Sequence, residues 1–115
     1  MDWGAFCEVY GDTINNRVLE YTLENRDIDF AVSDMARELK ISKPTAYAVI
    51  GRFEKKGYVK KTRTVGKTQL YALDEGNRRV LLFLHDFRKC LKIVAEEGAE
   101  DIPPETPIRG RSASA

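Results

Sequence analysis

Residues 32–73 read VSDMARELKISKPTAYAVIGRFEKKGYVKKTRTVGKTQLYAL, and this stretch decides the fold. Ser33 has the chemistry of a helix N-cap, and Met35, Ala36 and Leu39 follow it at helical spacing, which predicts a helix to about residue 39. Lys40-Ile41 supplies a turn. Ser42 then caps a second helix over residues 43–56, with Pro44 in its first turn, where the missing N–H has no intrahelical partner to lose. Gly57 ends that helix as a left-handed C-cap. The β-rich runs 58–65 and 68–73 flank Gly66-Lys67, the two-residue turn of a hairpin.

The 43–56 helix has two faces. Ala46, Val49, Ile50 and Phe53 recur at three and four and form its inner side. Opposite them run Pro44, Tyr47, Ala48, Gly51 and Lys55, edged by Lys43, Thr45 and Arg52. From Lys40 to Lys67 there are nine Lys or Arg against one acid, Glu54, so this window carries +8 in a chain of +1, and the remainder carries −7. Most charge runs are ordinary solvated faces. This one coincides with a helix-turn-helix and its hairpin, the footprint of a surface that docks on nucleic acid. The expected contacts are Ser42, Lys43, Pro44, Thr45, Tyr47, Ala48, Arg52 and Lys55 on the helix, with its N-terminal residues at base edges and its cations on phosphates. Lys60, Lys61, Arg63 and Lys67 of the hairpin are expected along the backbone or in the adjacent minor groove.

Outward from this centre, the 115 residues suit one domain with an appended helix and a tail. Trp3, Phe6 and Tyr10 predict a short amphipathic turn or helix, broken by Gly11. Asp12 or Thr13 caps a helix to about residue 25, with Ile14, Val18 and Tyr21 on one face and Leu19 beside them. Phe30-Ala31-Val32 suits a small edge strand. After residues 74–77 a last helix runs to about residue 97. Its Val80, Leu84, Phe87, Leu91 and Val94 make an a/d seam over two heptads. We read that seam as a dimer interface joined by Trp3 and Phe6; the alternative is a helix folded back on its own domain. Beyond Gly98 the composition, with three prolines and little that is apolar, predicts disorder. The expected divisions are therefore 1–11, an N-terminal segment; 12–75, the DNA-binding domain; 76–98, the dimerisation helix; and 99–115, a disordered tail.

Other function classes find little support. Val65-Gly66-Lys67-Thr68 lacks the glycine that a phosphate-binding loop needs five positions earlier, where Lys61 stands. His85 has no nucleophile or cysteine at ligand spacing, and Cys7 and Cys90 lie far apart and read as two reduced, packed thiols. No catalytic residue, metal or cofactor is expected. With no long apolar run and an acidic start, MDWGAFCEVYGD, the chain is expected to be soluble and cytoplasmic, with no membrane partner.

The 32–73 stretch resembles the winged helix-turn-helix of prokaryotic transcription regulators, in the style of the MarR-like and ArsR-like groups and of small archaeal regulators. The matching marks are Ala36, Ile41-Ser42, Thr45, the run FEKKGYV at 53–59, and Leu70-Tyr71-x-Leu73, within a likeness spanning about residues 16–73. Where such families often carry Ser, Arg or Gln, positions 47 and 48 are Tyr and Ala, and position 51 is Gly. The resemblance implies a three-helix bundle plus a β-hairpin wing; with the long C-terminal dimerisation helix read from the seam, the expected fold is α+β, mainly α. Together with the seam of the last helix, the resemblance points to a homodimer on double-stranded DNA acting as a repressor, and leaves open whether a small-molecule effector acts on it. The thin base-reading stripe keeps open an architectural DNA-binding protein of low specificity. A winged-helix protein-interaction module is the alternative outside DNA binding.

Overall fold

The computed structural model describes residues 4–100. The chain forms α1 (Ala5–Tyr10), α2 (Ile14–Glu24), β1 (Phe30–Ala31), α3 (Val32–Leu39), α4 (Lys43–Lys55), β2 (Val59–Val65), β3 (Thr68–Leu73) and α5 (Arg78–Glu100). This is the α+β, mainly helical, winged helix-turn-helix expected from the sequence: a bundle of α2, α3 and α4, a hairpin wing, and a long last helix. Of the expected disordered tail, residues 99 and 100 belong to α5, while 101–115 lie outside the described residues, as does Trp3.

Local chemistry explains most helix ends. The Thr13 hydroxyl accepts the N–H of Asn16 at 3.1 Å. Ser42 Oγ accepts the N–H of Thr45 at 3.2 Å. Asn77 Oδ1 accepts from Arg79 and Val80 at 2.8 and 3.2 Å, starting α5. Lys40 closes α3 in the left-handed region at φ 58°, with the Ile41 N–H bonded to the Ala36 carbonyl. Gly57 follows α4 at φ 80°, and a Cβ there would stand 2.9 Å from Asn77 Nδ2, so both backbone and space call for glycine.

Ser33 is the exception. The helix begins at Val32, and Ala31 holds the cap position without a side-chain bond. The reason is tertiary: Phe30 and Ala31 pair with Tyr71 and Leu70 of β3, so an extended, sheet-bound backbone passes directly into the helix. Val32 is therefore a sealed helical residue rather than the third residue of a strand. The sheet order is β1-β3-β2, all antiparallel, with the wing's outer strand at an edge.

The core runs from α2 through α3 and α4 to the base of the wing and includes Val18, Leu23, Met35, Ile50, Phe53 and Val59. Ile14, expected on the inner face of α2, is exposed. The a/d seam of α5 turns inward: Val80, Leu84 and Phe87 are buried within this chain, as is Cys90, and α1 and α2 pack against the helix. Phe6 is likewise buried in the core. The folded-back alternative thus describes the first half of α5, while Leu91 remains exposed and Val94 half-buried. No helix among the described residues is long and apolar enough to cross a membrane.

Gly4 occupies the N-cap of α1 and brings no capping side chain. Glu20, buried on α2, substitutes for it: its Oε1 accepts the N–H of Cys7 at 3.2 Å. Burial first, and then the hydrogen bond to this carboxylate, push the Cys7 thiol up to about 12, and burial also raises Cys90. Both groups stay protonated and inert at neutral pH. Neither thiol is expected to react with an aromatic disulfide reagent at about pH 8 while the chain is folded, and both should react in denaturant. Fast titration of one thiol in the native protein would contradict this packing.

Candidate nucleic-acid interface

The inner face of α4 is fully committed: Ala46, Val49, Ile50 and Phe53 are buried, as their spacing predicts. The opposite stripe is open, with Ser42, Lys43, Pro44, Tyr47, Ala48, Gly51, Arg52 and Lys55 all exposed. Tyr47 stands out as an aromatic ring left 53% exposed in the middle of the stripe. Thr45 is half-buried, and its hydroxyl lies 2.8 Å from that of Ser42, so the two form one hydroxyl pair at the helix start. Arg52 is less free than expected. Its Nη2 donates to Asn15 Oδ1 at 3.0 Å, which ties the second half of α4 to the start of α2.

The wing projects: β2 is exposed at every position after Val59, including Lys60, Lys61 and Arg63, and Lys67 is exposed at the turn. Its strands are not in simple register. Lys61 faces Tyr71 and Thr64 faces Gln69, so β2 carries one extra residue between these pairs. Adjacent residues of a regular strand point to opposite faces. At this bulge, however, the Thr62 hydroxyl and the Arg63 guanidinium both reach the carboxylate of Asp29. The distances are 2.8 Å from Thr62 and 2.9 and 3.3 Å from Arg63. The Arg63 hydrogen bond, followed by that of Thr62, holds the Asp29 carboxyl below its ordinary range.

The basic window therefore divides. Among the described residues, Lys43, Lys55, Lys60, Lys61 and Lys67 enter no ion pair, whereas Arg63 is bound to Asp29. Arg63, expected as a backbone contact, also fastens the wing to the body. Asp29 was not legible as a functional residue: in the NRDID loop it is one acid among several, and only the folded chain brings it to the bulge. No group of three or more His, Cys, Asp or Glu among the described residues could hold a metal ion.

Solved structures share this fold. The chain is similar to MepR, a transcription regulator of the Staphylococcus aureus multidrug efflux pump MepA, with a TM-score of 0.63 at 13% identity over 89% of this chain and 76% of MepR. A mutant of S. aureus MepR bound to an oligodeoxyribonucleotide gives a TM-score of 0.58 at 14% identity, covering 89% and 75% of the two chains. RV1404 from Mycobacterium tuberculosis gives 0.60 at 15% identity, covering 92% and 71%. At such identities the likeness is one of fold. No protein-family model and no curated protein matches the sequence.

The Asp29 clamp has a defined pH window. Because its folded value is depressed, the ion pair contributes above the ordinary aspartate value of 3.8 and is lost only as pH falls through the lower folded value. The wing should thus be equally ordered at about pH 5 and pH 7. Asp29→Asn should loosen residues 62–69 at neutral pH, seen as lower backbone order parameters in 15N relaxation. Unchanged order in that variant would mean that the wing holds its place without the clamp.

Proposed function

We propose that this fold and its exposed basic face make the chain a homodimeric, DNA-binding transcription regulator acting as a repressor. The observation that carries the reading is the set of unpaired lysines around α4 and the wing, on the element of this fold that is open to solvent. Residues 12–75 form the DNA-binding unit. In it, α4 enters the major groove with Ser42, Lys43, Pro44 and Thr45 leading. Tyr47 offers its ring edge and Ala48 its methyl, both suited to apolar contact with thymine methyl groups. Lys55, Lys60, Lys61 and Lys67 neutralise phosphates. Arg52 and Arg63, each bonded within the chain, present their remaining N–H donors to the backbone.

Residues 76–98, together with the N-terminal segment 1–11, supply the dimer contact. The inward turn of Val80, Leu84 and Phe87 moves the partner surface toward the far end of α5. There Leu91 is 47% and Ile93 43% exposed, with Val94 half-buried beside them. Val9 and Tyr10 of α1 extend this patch, since the Tyr10 hydroxyl meets Asp86 on α5. A two-fold pair would set two α4 helices about 34 Å apart and select a pseudo-palindromic site.

A second reading, an architectural protein of low sequence preference, is favoured by one feature. The centre of the α4 stripe, Tyr47, Ala48 and Gly51, contains no group able to make a bidentate base contact.

If about eight phosphates are neutralised per dimer, log K against log salt should slope near −7. A flat response would eliminate DNA binding. Lys60→Glu and Lys67→Glu should weaken binding to all sequences alike, and each, present in both protomers, should make the dimer's salt slope shallower by about 2. Tyr47→Ala and Thr45→Ala should blur preference among sites drawn from a random pool; if no preference of about 10³ over bulk duplex exists to begin with, the architectural reading stands.

Light scattering should give twice the chain mass of 13.1 kDa. Leu91→Glu with Ile93→Glu should give the single-chain mass with an unchanged circular dichroism spectrum. A wild-type monomer at micromolar concentration would remove the dimer.

A further inference from the structure

Gly51 has no reason within the chain to be glycine. It lies in the interior of α4, where glycine weakens a helix relative to alanine. Its φ is not positive, unlike those of Gly11, Gly57 and Gly66, and a Cβ there would meet no atom of another segment within 4 Å. Neither backbone strain nor core packing calls for it. A bare backbone on an exposed helix face suits close approach by something outside the chain.

Tyr47, Gly51 and Lys55 lie four apart on one row of the outer face, with Ala48 beside them, and all four are exposed. Helical side chains lean toward the N-terminus, so the Tyr47 ring leaves the Gly51 backbone and the Ala48 methyl uncovered. Among the described residues Tyr47 enters no hydrogen bond and no ring pair. The result is a small apolar recess with an aromatic wall.

The charge around the recess selects its occupant. Lys43, Lys55, Lys60 and Lys61 enter no ion pair among the described residues, so the matching surface is a polyanion. It must also carry a small apolar group. In the major groove of a duplex that group is the methyl on C5 of a pyrimidine. Hydrogen-bond readout is poorly provided for at the same place. Residues 43–55 contain no Asn or Gln, and the one guanidinium, that of Arg52, is held by Asn15.

We propose that the recess of Tyr47, Ala48 and Gly51 binds the C5-methyl group of a pyrimidine, so that α4 reads methylation rather than base-pair identity. Thymine and 5-methylcytosine are accepted alike; uracil and unmethylated cytosine leave the recess empty. Cytosine methylation therefore creates sites for this chain. The proposal rests on the reading of α4 as the major-groove helix, and the test separates the two.

The test measures binding of the full chain, by fluorescence anisotropy at low salt, to four duplexes about two helical turns long. They alternate adenine with thymine, adenine with uracil, guanine with cytosine, and guanine with 5-methylcytosine, each closed by the same hairpin loop. The thymine duplex should bind at least about fourfold more tightly than the uracil duplex, the effect of covering one methyl group. The 5-methylcytosine duplex should exceed the cytosine duplex by a similar factor. Lys60→Glu should weaken all four and leave both ratios as they are. Tyr47→Ala should bring both ratios near one. Gly51→Leu, which fills the recess with a better helix former, should do the same while Tm holds or rises.

Binding to all four duplexes with both ratios near one would overturn methyl reading alone. Ratios that survive in both Tyr47→Ala and Gly51→Leu would trace the preference to the shape of the duplex and also overturn it. Binding to none of the four would overturn this proposal together with the function on which it rests.

Discussion

The seating of α4 against α2 and α3 is the contact on which the rest of the molecule depends. Ala46, Val49, Ile50 and Phe53 are all buried, and Ala36 on the facing helix α3 is equally sealed. Both alanines are sealed, so a larger side chain at either place would have to displace its packed neighbours. With the inner face committed, the outer stripe has no freedom to rotate inward. The position of Tyr47, Ala48 and the flanking lysines in solvent is a direct consequence of core packing. The turn at Lys40 and the Ser42 cap then fix where α4 begins.

Two tethers extend this rigidity to the periphery. Arg52 reaches back to Asn15, and Asp29 collects Thr62 and Arg63 at the bulge of β2. A two-stranded hairpin whose outer strand is exposed at every position after Val59 is marginal alone. Its orientation depends on β1 pairing at its base and on the Asp29 clamp further out. The cations of this surface accordingly serve two ends. Lysines on the α4 margin and the wing remain open for a partner, while the two arginines also hold the surface in shape. An arginine fork suits the latter task, since it can bond in two directions at once where an ammonium acts as a point charge.

The last helix serves the domain before it serves any partner. Its heptad seam closes the core with α1, and the short α1 is in turn capped by Glu20 from α2 rather than by its own residue. The amphipathic pattern of α5 was legible, but its destination was not. An apolar stripe records that something covers it; whether the cover is the same chain or a second copy depends on where α1 and α2 lie. The same limit applies to Ser33, whose residue type favours a cap. Sheet pairing of Phe30 and Ala31 with β3 supplied an extended backbone one residue earlier, and the helix began there.

By itself, the sequence determined the order of the elements, the two faces of α4, the turn at Lys40-Ile41, the Gly57 stop and the polarised charge. All of these are written in periodicities and cap chemistry that act within a few residues. Only the tertiary structure decided that Arg63 is clamped by Asp29, that Val80, Leu84 and Phe87 face inward, and that Glu20 caps a helix on another segment. Each of these joins residues from 13 to 34 positions or more apart in the chain. Such pairings are set by how packed helices and a bulged strand aim their side chains, and no local spacing encodes that direction.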